Sequence, residues 1–527
     1  MLRRVVILGL AAALLGGCAG AEDDDRGGKA KRPPVVVLVF DEFPTDALLT
    51  PGGEIDRERF PNFAALARTS TWFPNAFTTY DSTFKAVPSI LDGVLPVEGT
   101  AADQRSHQPN AFHLMDRHGY GVVDVESASA LCPDTVCPGS RIRRPGILKR
   151  LAGSGRPARL HRWIAAIRHR RRPTFYFQHT LLPHAPWVYL PSGRVTRHSG
   201  AEPIENSNRW PGFSDPDLTA HNELRHLLQV GFVDHELGLL LRRMRRTRVF
   251  DDALLIVLAD HGHSFRVGVR SRRKVTEDNV EEIAPIPFFV KLPHQREGRR
   301  DPALARNVDV LPTIADVLDV RVRWGHGGRS AFADVTRNRR VVSLPTRDFR
   351  RTVSIGIEEL VRRRAAVRAR RAAEFGTGRA SLARFGDPWA SAYRIGPNEQ
   401  LLGREVAALD VRDSATVSAS VGSPGVVRRS PGSHPEVRPA HVAGTIAGGE
   451  PGEQRDLTVA VNGRIRAVGR SFHLLREDRE YFSLLVPERA LRRGTNRIAL
   501  FEVTGTDRLV RLAPSEGWGG SSGPDRS

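Results

Sequence analysis

Cysteine is nearly missing. Three in 527 residues exclude a disulfide-dense scaffold, and the two that stand close, Cys132 and Cys137 in LCPDTVCP, have too few other ligands nearby for a thiolate metal site. Lysine is also rare. The chain has 79 basic residues against 59 acidic ones, and its balance of +20 rests almost wholly on arginine spread along the chain. That balance favours anionic partners such as lipid headgroups or envelope polyanions, although a compositional bias toward arginine accounts for it as well. No basic motif studded with aromatics is present, which argues against nucleic acid. No internal repeat is visible.

The N-terminus supplies a more specific signal. MLRR gives a charged start, VVILGLAAALLGG an apolar run too short to span a bilayer comfortably, and small residues precede Cys18, as in an export signal. Leu15-Gly16-Gly17-Cys18 resembles the bacterial lipoprotein signal, in which the cysteine carries the lipid; a plain signal peptide or an uncleaved anchor is the alternative. AGAEDDDRGGKAKRPP then has the composition of a flexible tether. The chain is expected to be exported and held at the outer face of the bacterial cytoplasmic membrane, where oxidising conditions favour a Cys132–Cys137 disulfide.

VVVLVF (35–40) is a continuous β-branched run of the kind that fills a strand covered on both faces, and it ends at Asp41-Glu42. ALLIVLADHGH (253–263) repeats the construction and delivers Asp260, His261 and His263, while FYFQHTLLPHAPW (175–187) delivers His179 and His184. Helical patterns lie between and after these runs, at 60–70, 224–244 and 308–318. The alternation predicts a doubly wound, mostly parallel α/β domain over 34–345, with ligands gathered at the C-terminal ends of its strands. A basic helical connector is expected over 346–394, a small β-sandwich-like domain over 395–514 with an Asn-Gly hairpin turn at 462–463, and a disordered tail over 515–527. The basic face of the helix at 356–375 reads as a solvated connector, with headgroup binding as the alternative.

Singly, none of these acidic or histidine residues is telling. Together, oxygen and imidazole ligands at the ends of separate strands suit one divalent cation, and a hydroxyl beside it is a nucleophile in waiting. The order of strand with Asp, hydroxyl with helix, His, then strand with Asp-His-Gly resembles the sulfatase branch of the alkaline phosphatase superfamily. VVVLVFDEFP, DSTFKAVPSILDG, LLIVLADHGHSF and the later IAPIPFFVKLP, NVDVLPTIADVL and GGRSAF carry that resemblance over about 34–335. Aligned on the closing Gly93, the nucleophile position falls on Thr83, with Lys85 and Val87 where a formylglycine sulfatase has Pro and Arg. Threonine cannot become formylglycine. An unmodified Thr, followed five residues on by Pro88, resembles instead the superfamily's phosphodiesterases and its phosphoethanolamine and phosphoglycerol transferases.

The resemblance implies metal binding by Asp41, Asp260 and His261 with the Thr83 oxygen, and a role for His184 or His263 at the transferred group or the leaving oxygen. Lys85 is expected to pair with the alkoxide or a nonbridging oxygen. Glu42 is either a further ligand or a carboxylate orienting one; His179 and Asp234 read as structural. One ion is expected, of Zn, Mn, Mg or Ca. The expected function is cleavage or transfer of a phosphate-ester group, phosphodiester or phosphoalcohol, on an anionic envelope substrate, lipid headgroup or polymer. Sulfate-ester hydrolysis without formylglycine and a catalytically lapsed envelope-binding protein are the alternatives.

Overall fold

The computed structural model describes residues 32–125, 128–129, 131–138, 155–196, 215–269, 271–421, 429–430, 440–450, 452–473, 479–492 and 494–514. The signal segment 1–18 with Cys18, all but the end of the tether 19–33, and the tail 515–527 lie outside the described residues.

Val35–Asp41 (β1), Thr174–Pro183 (β4) and Leu254–Ala259 (β5) are buried at every position, as apolar runs must be when helices cover both faces of a sheet. β1 lies between the other two and runs parallel to both, with Val35 opposite Phe175 on one side and Leu254 on the other. Gly121–Asp124 (β3) adds a parallel strand beyond β4. Phe288–Lys291 (β6) turns the other flank antiparallel, and Thr71–Trp72 (β2) and Arg299–Arg300 (β7) finish a seven-stranded sheet in the order β3-β4-β1-β5-β6-β2-β7. The carboxyl ends of β1, β4 and β5 therefore meet at one edge.

The helices follow the apolar spacing of the sequence. They are Pro61–Ala67 (α1), Thr83–Asp92 (α2), Ala111–Arg117 (α3), Gly155–Ala166 (α4), Pro216–Arg246 (α5), Val310–Val317 (α6) and Ile357–Phe375 (α7). α5 begins where Asp215 accepts a hydrogen bond from Leu218 N at 2.8 Å, and it ends in Arg243, Arg245 and Arg246, which suit the negative end of a helix dipole. Asp234 on α5 takes the backbone N–H groups of Asn62 and Phe63 at 3.0 and 2.8 Å. It thereby serves the otherwise unpaired start of α1, the structural part the sequence suggested. Among the described residues, no helix is long and apolar enough to cross a membrane.

From Asp410 to Pro514 the chain is almost wholly β. Asp410–Val421 (β10), His441–Ala447 (β12), Asp456–Val461 (β13), Arg464–Arg470 (β14), Phe472–His473 (β15), Glu480–Leu485 (β16), Ile498–Gly505 (β18) and Arg508–Pro514 (β19) make one eight-stranded sheet; Arg429–Ser430 (β11) and Gly494–Thr495 (β17) pair separately. Instead of two facing sheets, a single sheet bends back on itself. The edge strand β14 packs on β16 near the opposite edge, so close that a Cβ on Gly469 would stand 2.4 Å from the Leu484 side chain. Asn462 and Gly463 both adopt positive φ, 52° and 82°, at the tight turn between β13 and β14.

Two features modify the expected domain layout. The boundary placed at 345/346 falls inside a hairpin, Val341–Pro345 (β8) against Thr352–Gly356 (β9). The arginines of α7 are also not all in water. Arg364 is 2% exposed and donates to both carboxylate oxygens of Asp46 at 2.7 and 3.2 Å, while Arg368 adds a 2.9 Å bond to the same group. Arg370 and Arg371 hold buried Glu223 of α5. The helix read as a solvated connector is a clasp, because its spacing puts Arg364, Arg368 and Arg371 on the same face as Leu360 and Val367.

Candidate active site

β1 ends in Asp41, and the next residue, Glu42, takes a left-handed φ of 59°. This conformation is costly for a residue with a Cβ. It sends the two neighbouring carboxylates to different places. Asp41 stays on the strand axis, beside Asp260 at the end of β5 and His261 after it; His261 Nε2 lies 3.9 Å from Asp41 Oδ1 and 3.7 Å from Asp260 Oδ2. Asp260 is fixed by backbone, accepting from His261 N at 2.6 Å and Glu42 N at 3.3 Å. Gly262 completes the motif for a steric reason: a Cβ there would meet Glu282 O at 2.6 Å and Ile283 O at 2.9 Å.

Thr83 is the first residue of α2, and its hydroxyl donates to Asp260 Oδ2 at 2.7 Å, with Asp41 Oδ1 at 3.4 Å. The approach to this helix is tied down by buried polar groups. Asp81 accepts from Val275 N at 2.9 Å and Arg347 Nε at 3.2 Å, and Asn307 joins Thr78 and Thr79 to the Asp260 carbonyl. Ser82 stands at the helix start without capping it through its side chain, and its carbonyl takes the N–H groups of Lys85 and Ala86 at 3.0 and 2.9 Å, which leaves those of Thr83 and Phe84 for other acceptors.

Glu42 belongs to a second, adjoining group. Arg272 grips its carboxylate with two bonds of 3.1 Å, Arg273 Nε lies at 3.4 Å and His184 Nε2 at 3.1 Å. Burial pushes the Glu42 carboxyl up, but Arg272, His184 and Arg273 outweigh it and hold the pKa well below the usual range. Asp41 is the opposite case. Burial, and then the charge of Asp260, raise it well above the ordinary value. His184 is pushed down to about 4 by burial, with Glu42 opposing, and its Nδ1 faces the Ala185 carbonyl at 2.6 Å.

Asp41, Asp260, His261 and Thr83 thus come together, and Glu42 with His184 stands next to them. Asp41, Asp260 and His261 offer ligand atoms within 4.8 Å of one another, as do Asp41, Glu42 and His184. The first set fits a divalent cation: two buried carboxylates, both acceptors, face one hydroxyl and one imidazole. In the second set the Glu42 carboxylate is already faced by Arg272 and Arg273. His179, read as structural, lies beside the cluster with Nε2 3.7 Å from Asp260 Oδ2.

Two sequence assignments do not fit the geometry. The Lys85 amine turns away toward the Val97 carbonyl and both oxygens of Thr100, because on α2 a residue two positions from Thr83 falls on another side of the helix. Lys85 therefore closes the 97–100 loop and does not pair with the nucleophile. Lys85→Met should change kcat/KM by less than about threefold, a change equivalent to roughly 0.6 kcal/mol, in steady-state assays of whichever ester proves to be turned over. His263 is sealed among Trp187, His226 and Phe265, with ring centres 5.9, 4.5 and 4.2 Å away. Neither of its nitrogens has a hydrogen-bond partner among the described residues, and burial keeps it neutral by lowering its pKa far below the usual value. It packs behind His184's neighbours instead of reaching a leaving group. Arg272 and Arg273 are the cations the sequence reading missed. Cys132 and Cys137 are bonded, with Cα atoms 6.0 Å apart.

Residues 157–320 match the family model described as Sulfatase. Over this segment the chain is sulfatase-like. The segment contains His179, His184, Asp260 and His261, while Asp41 and Thr83 lie upstream of it. A choline-sulfatase of Rhizobium meliloti (strain 1021) is 25% identical over 340 residues, 52% of this chain and 65% of that protein, so the chain spans a little under two thirds of the length of that curated relative. A putative sulfatase from Bacteroides thetaiotaomicron VPI-5482 is 13% identical in a match covering 70% of this chain and 96% of that one, with a TM-score of 0.47. The phosphonate monoester hydrolase of Agrobacterium radiobacter is 14% identical, covering 59% and 80%, with a TM-score of 0.45.

Proposed function

We propose that the protein is a metal-dependent ester hydrolase or transferase of the cell envelope, in which Thr83 attacks the phosphorus of a phosphodiester or phosphoalcohol group. The observation that carries this reading is the Thr83 hydroxyl, 2.7 Å from Asp260 Oδ2 and 3.4 Å from Asp41 Oδ1 at the start of α2. A hydroxyl held between two buried carboxylates and an imidazole has the surroundings of a nucleophile.

Asp41, Asp260 and His261 would hold one divalent cation, with the Thr83 oxygen beside it. When bound, that cation supplies positive charge that favours loss of the hydroxyl proton and offsets the charge of an anionic ester. The chain supplies the rest. Asp260 is the first acceptor for the Thr83 proton, and the N–H groups of Thr83 and Phe84 at the start of α2 are available to the oxygens of the transferred group. As the Thr83 Oγ1–phosphorus bond forms, the bond to the leaving oxygen breaks, and that oxygen must gain a proton. His184 Nε2, 3.1 Å from Glu42, is the better placed of the two candidates because His263 is sealed; burial keeps the free imidazole neutral, so it donates only after Glu42 and the negative charge of the bound ester have drawn a proton onto it. Water or an acceptor alcohol then cleaves the Thr83 ester; Asp260 returns its proton to the Thr83 oxygen, and the proton the attacking hydroxyl gives up replaces the one His184 lost, so that every group ends as it began.

A second reading, sulfate-ester hydrolysis without formylglycine, draws support from the match over 157–320 and from the 25% identical choline-sulfatase. The two readings share the cation and differ in substrate. Elemental mass spectrometry on wild type and Asp260→Ala, exposed to Zn, Mn, Mg and Ca, should find about one tightly held ion in the first and none in the second. Paired assays with bis(p-nitrophenyl) phosphate and p-nitrophenyl sulfate should then favour the phosphate diester. Turnover of the sulfate alone would transfer the conclusion to the second reading. Absence of any bound ion in wild type would leave a catalytically lapsed binding protein.

A further inference from the structure

In a parallel sheet the strand starts share one edge as surely as the strand ends share the other. The starts of β1, β4 and β5 lie opposite the Asp41–Thr83–Asp260 cluster, and two connections reach that edge carrying unusual charge. The loop between α4 and β4 reads IRHRRRP (167–173), and the end of α5 with its exit reads RRMRRTR (242–248). They form one surface: Arg243 ties them together, donating to the Ile167 carbonyl at 2.8 Å and the Ala165 carbonyl at 2.7 Å.

Arg168, Arg171, Arg245, Arg246 and Arg248 are exposed and Arg170 is half-buried. Among the described residues, none of the six has a carboxylate partner. The acids nearby are few. Asp116 stands 3.8 Å from Arg172, and Asp251 and Asp252 follow Arg248 in the loop. The arginines of α7, by contrast, are spent on the carboxylates of Asp46 and Glu223. Here Arg168, Arg171, Arg246 and Arg248 face water, and Arg245 lies over the Phe250 ring at 4.6 Å.

The same edge holds the first described residues. Tyr120 donates to the Pro33 carbonyl at 2.9 Å, and Leu254 N to the Pro34 carbonyl at 2.9 Å. In sequence, Pro33 follows directly on a mostly polar stretch of 14 residues, 19–32, and, before it, the apolar run ending at Cys18. Such a stretch reaches at most roughly 50 Å when fully extended.

We propose that this arginine edge is a docking face for a bilayer bearing anionic lipid. Unpaired guanidinium groups on loops at a common edge gain attraction within a Debye length of such a surface, and the root of the tether lies among them. The docked orientation turns the candidate active site away from the lipid by at least the length of the strands, roughly 20 Å for six or seven residues. A site so turned takes an ester that projects well clear of the bilayer, a polymer or a diffusing molecule, in preference to a headgroup of the leaflet on which the protein sits. The proposal does not depend on the chemistry assigned to Thr83.

The test is co-sedimentation of the full chain with vesicles of phosphatidylcholine alone or mixed with phosphatidylglycerol. Attachment through the N-terminal apolar segment is common to both vesicles. Wild type should bind the mixed vesicles more tightly, and Arg168→Glu, Arg171→Glu and Arg246→Glu together should remove that preference, weakening binding on the order of 100-fold at low salt with an unchanged circular dichroism spectrum. Equal binding of wild type and the triple variant to the mixed vesicles would overturn the proposal. So would tight binding of soluble polyphosphate that the same substitutions abolish and that excess mixed vesicles fail to compete, an outcome that would make the face a polymer site.

Discussion

Thr83→Ala should hold its metal, keep its fold and lose turnover by roughly four orders of magnitude or more, the scale seen when a covalent nucleophile is removed. The metal should stay because Asp41, Asp260 and His261 are untouched, and Asp260 keeps the backbone donors His261 N at 2.6 Å and Glu42 N at 3.3 Å after the hydroxyl is gone. The fold should stay because alanine suits the first turn of α2 and the lost methyl and hydroxyl come from a single residue at the site edge. Thr83→Ser separates chemistry from shape: a serine hydroxyl in the same place should restore activity to within about a hundredfold of wild type. Stopped assays on phosphate diester and sulfate ester, with metal content measured on the same samples, check all three statements. An alanine variant active at the wild-type rate would remove Thr83 from the mechanism whatever the metal content.

Asp46→Ala should destabilise the protein by about 3–5 kcal/mol, the range for stripping one partner from a buried ion pair. Asp46 sits in the turn just after β1 and receives Arg364 through two bonds and Arg368 through one. Arg364 also holds the Pro74 carbonyl and Asn75 Oδ1, both at 3.0 Å, so in the variant its guanidinium cannot swing out to water without abandoning these two remaining contacts. Removal of the carboxylate therefore leaves a positive charge stranded inside the protein. Asp46→Ala combined with Arg364→Met should recover part of the loss, since the pair is then absent as a whole, and a positive coupling in that double-mutant cycle is the distinguishing sign. Urea midpoints followed by circular dichroism supply the numbers. A single-mutant loss below about 1 kcal/mol would show that the clasp is solvated in practice.

What the sequence disclosed follows from how local each signal is. β1, β4 and β5 were legible because strands covered on both faces need unbroken apolar runs, and the residues after them fell at the sheet's carboxyl edge by topology alone. α5 and α7 were legible from their spacing, as was the hairpin at Asn462-Gly463. The two-residue strands β2 and β7 were not, since pairing so short leaves no periodicity, and the bending of the C-terminal sheet onto itself depends on contacts such as Gly469 with Leu484 that no local pattern encodes. At the site, Asp41, Asp260 and His261 could be found from strand ends. Arg272 and Arg273 could not. In a chain with 79 basic residues, RSRRK has no contrast, and only the return of that loop onto Glu42 distinguishes it. Lys85 had contrast, being a rare lysine near the nucleophile, and its rarity misled because helical geometry, not composition, decides which way an amine points.

The left-handed turn at Glu42 has a consequence for how this position can vary. Asp41 and Glu42 are chemical near-twins in consecutive places, yet a single backbone dihedral gives one to Asp260 and His261 and the other to a pair of arginines. The alphabet at 42 is therefore written by the main chain before charge is considered. Glycine, asparagine and aspartate can follow the bend, whereas valine, isoleucine and threonine are barred by their branched Cβ. A lineage that lost the carboxylate by way of glycine would keep the bend and hand two unemployed guanidinium groups to whatever anion enters, while a lineage that straightened the bend would lose both carboxylate addresses at once.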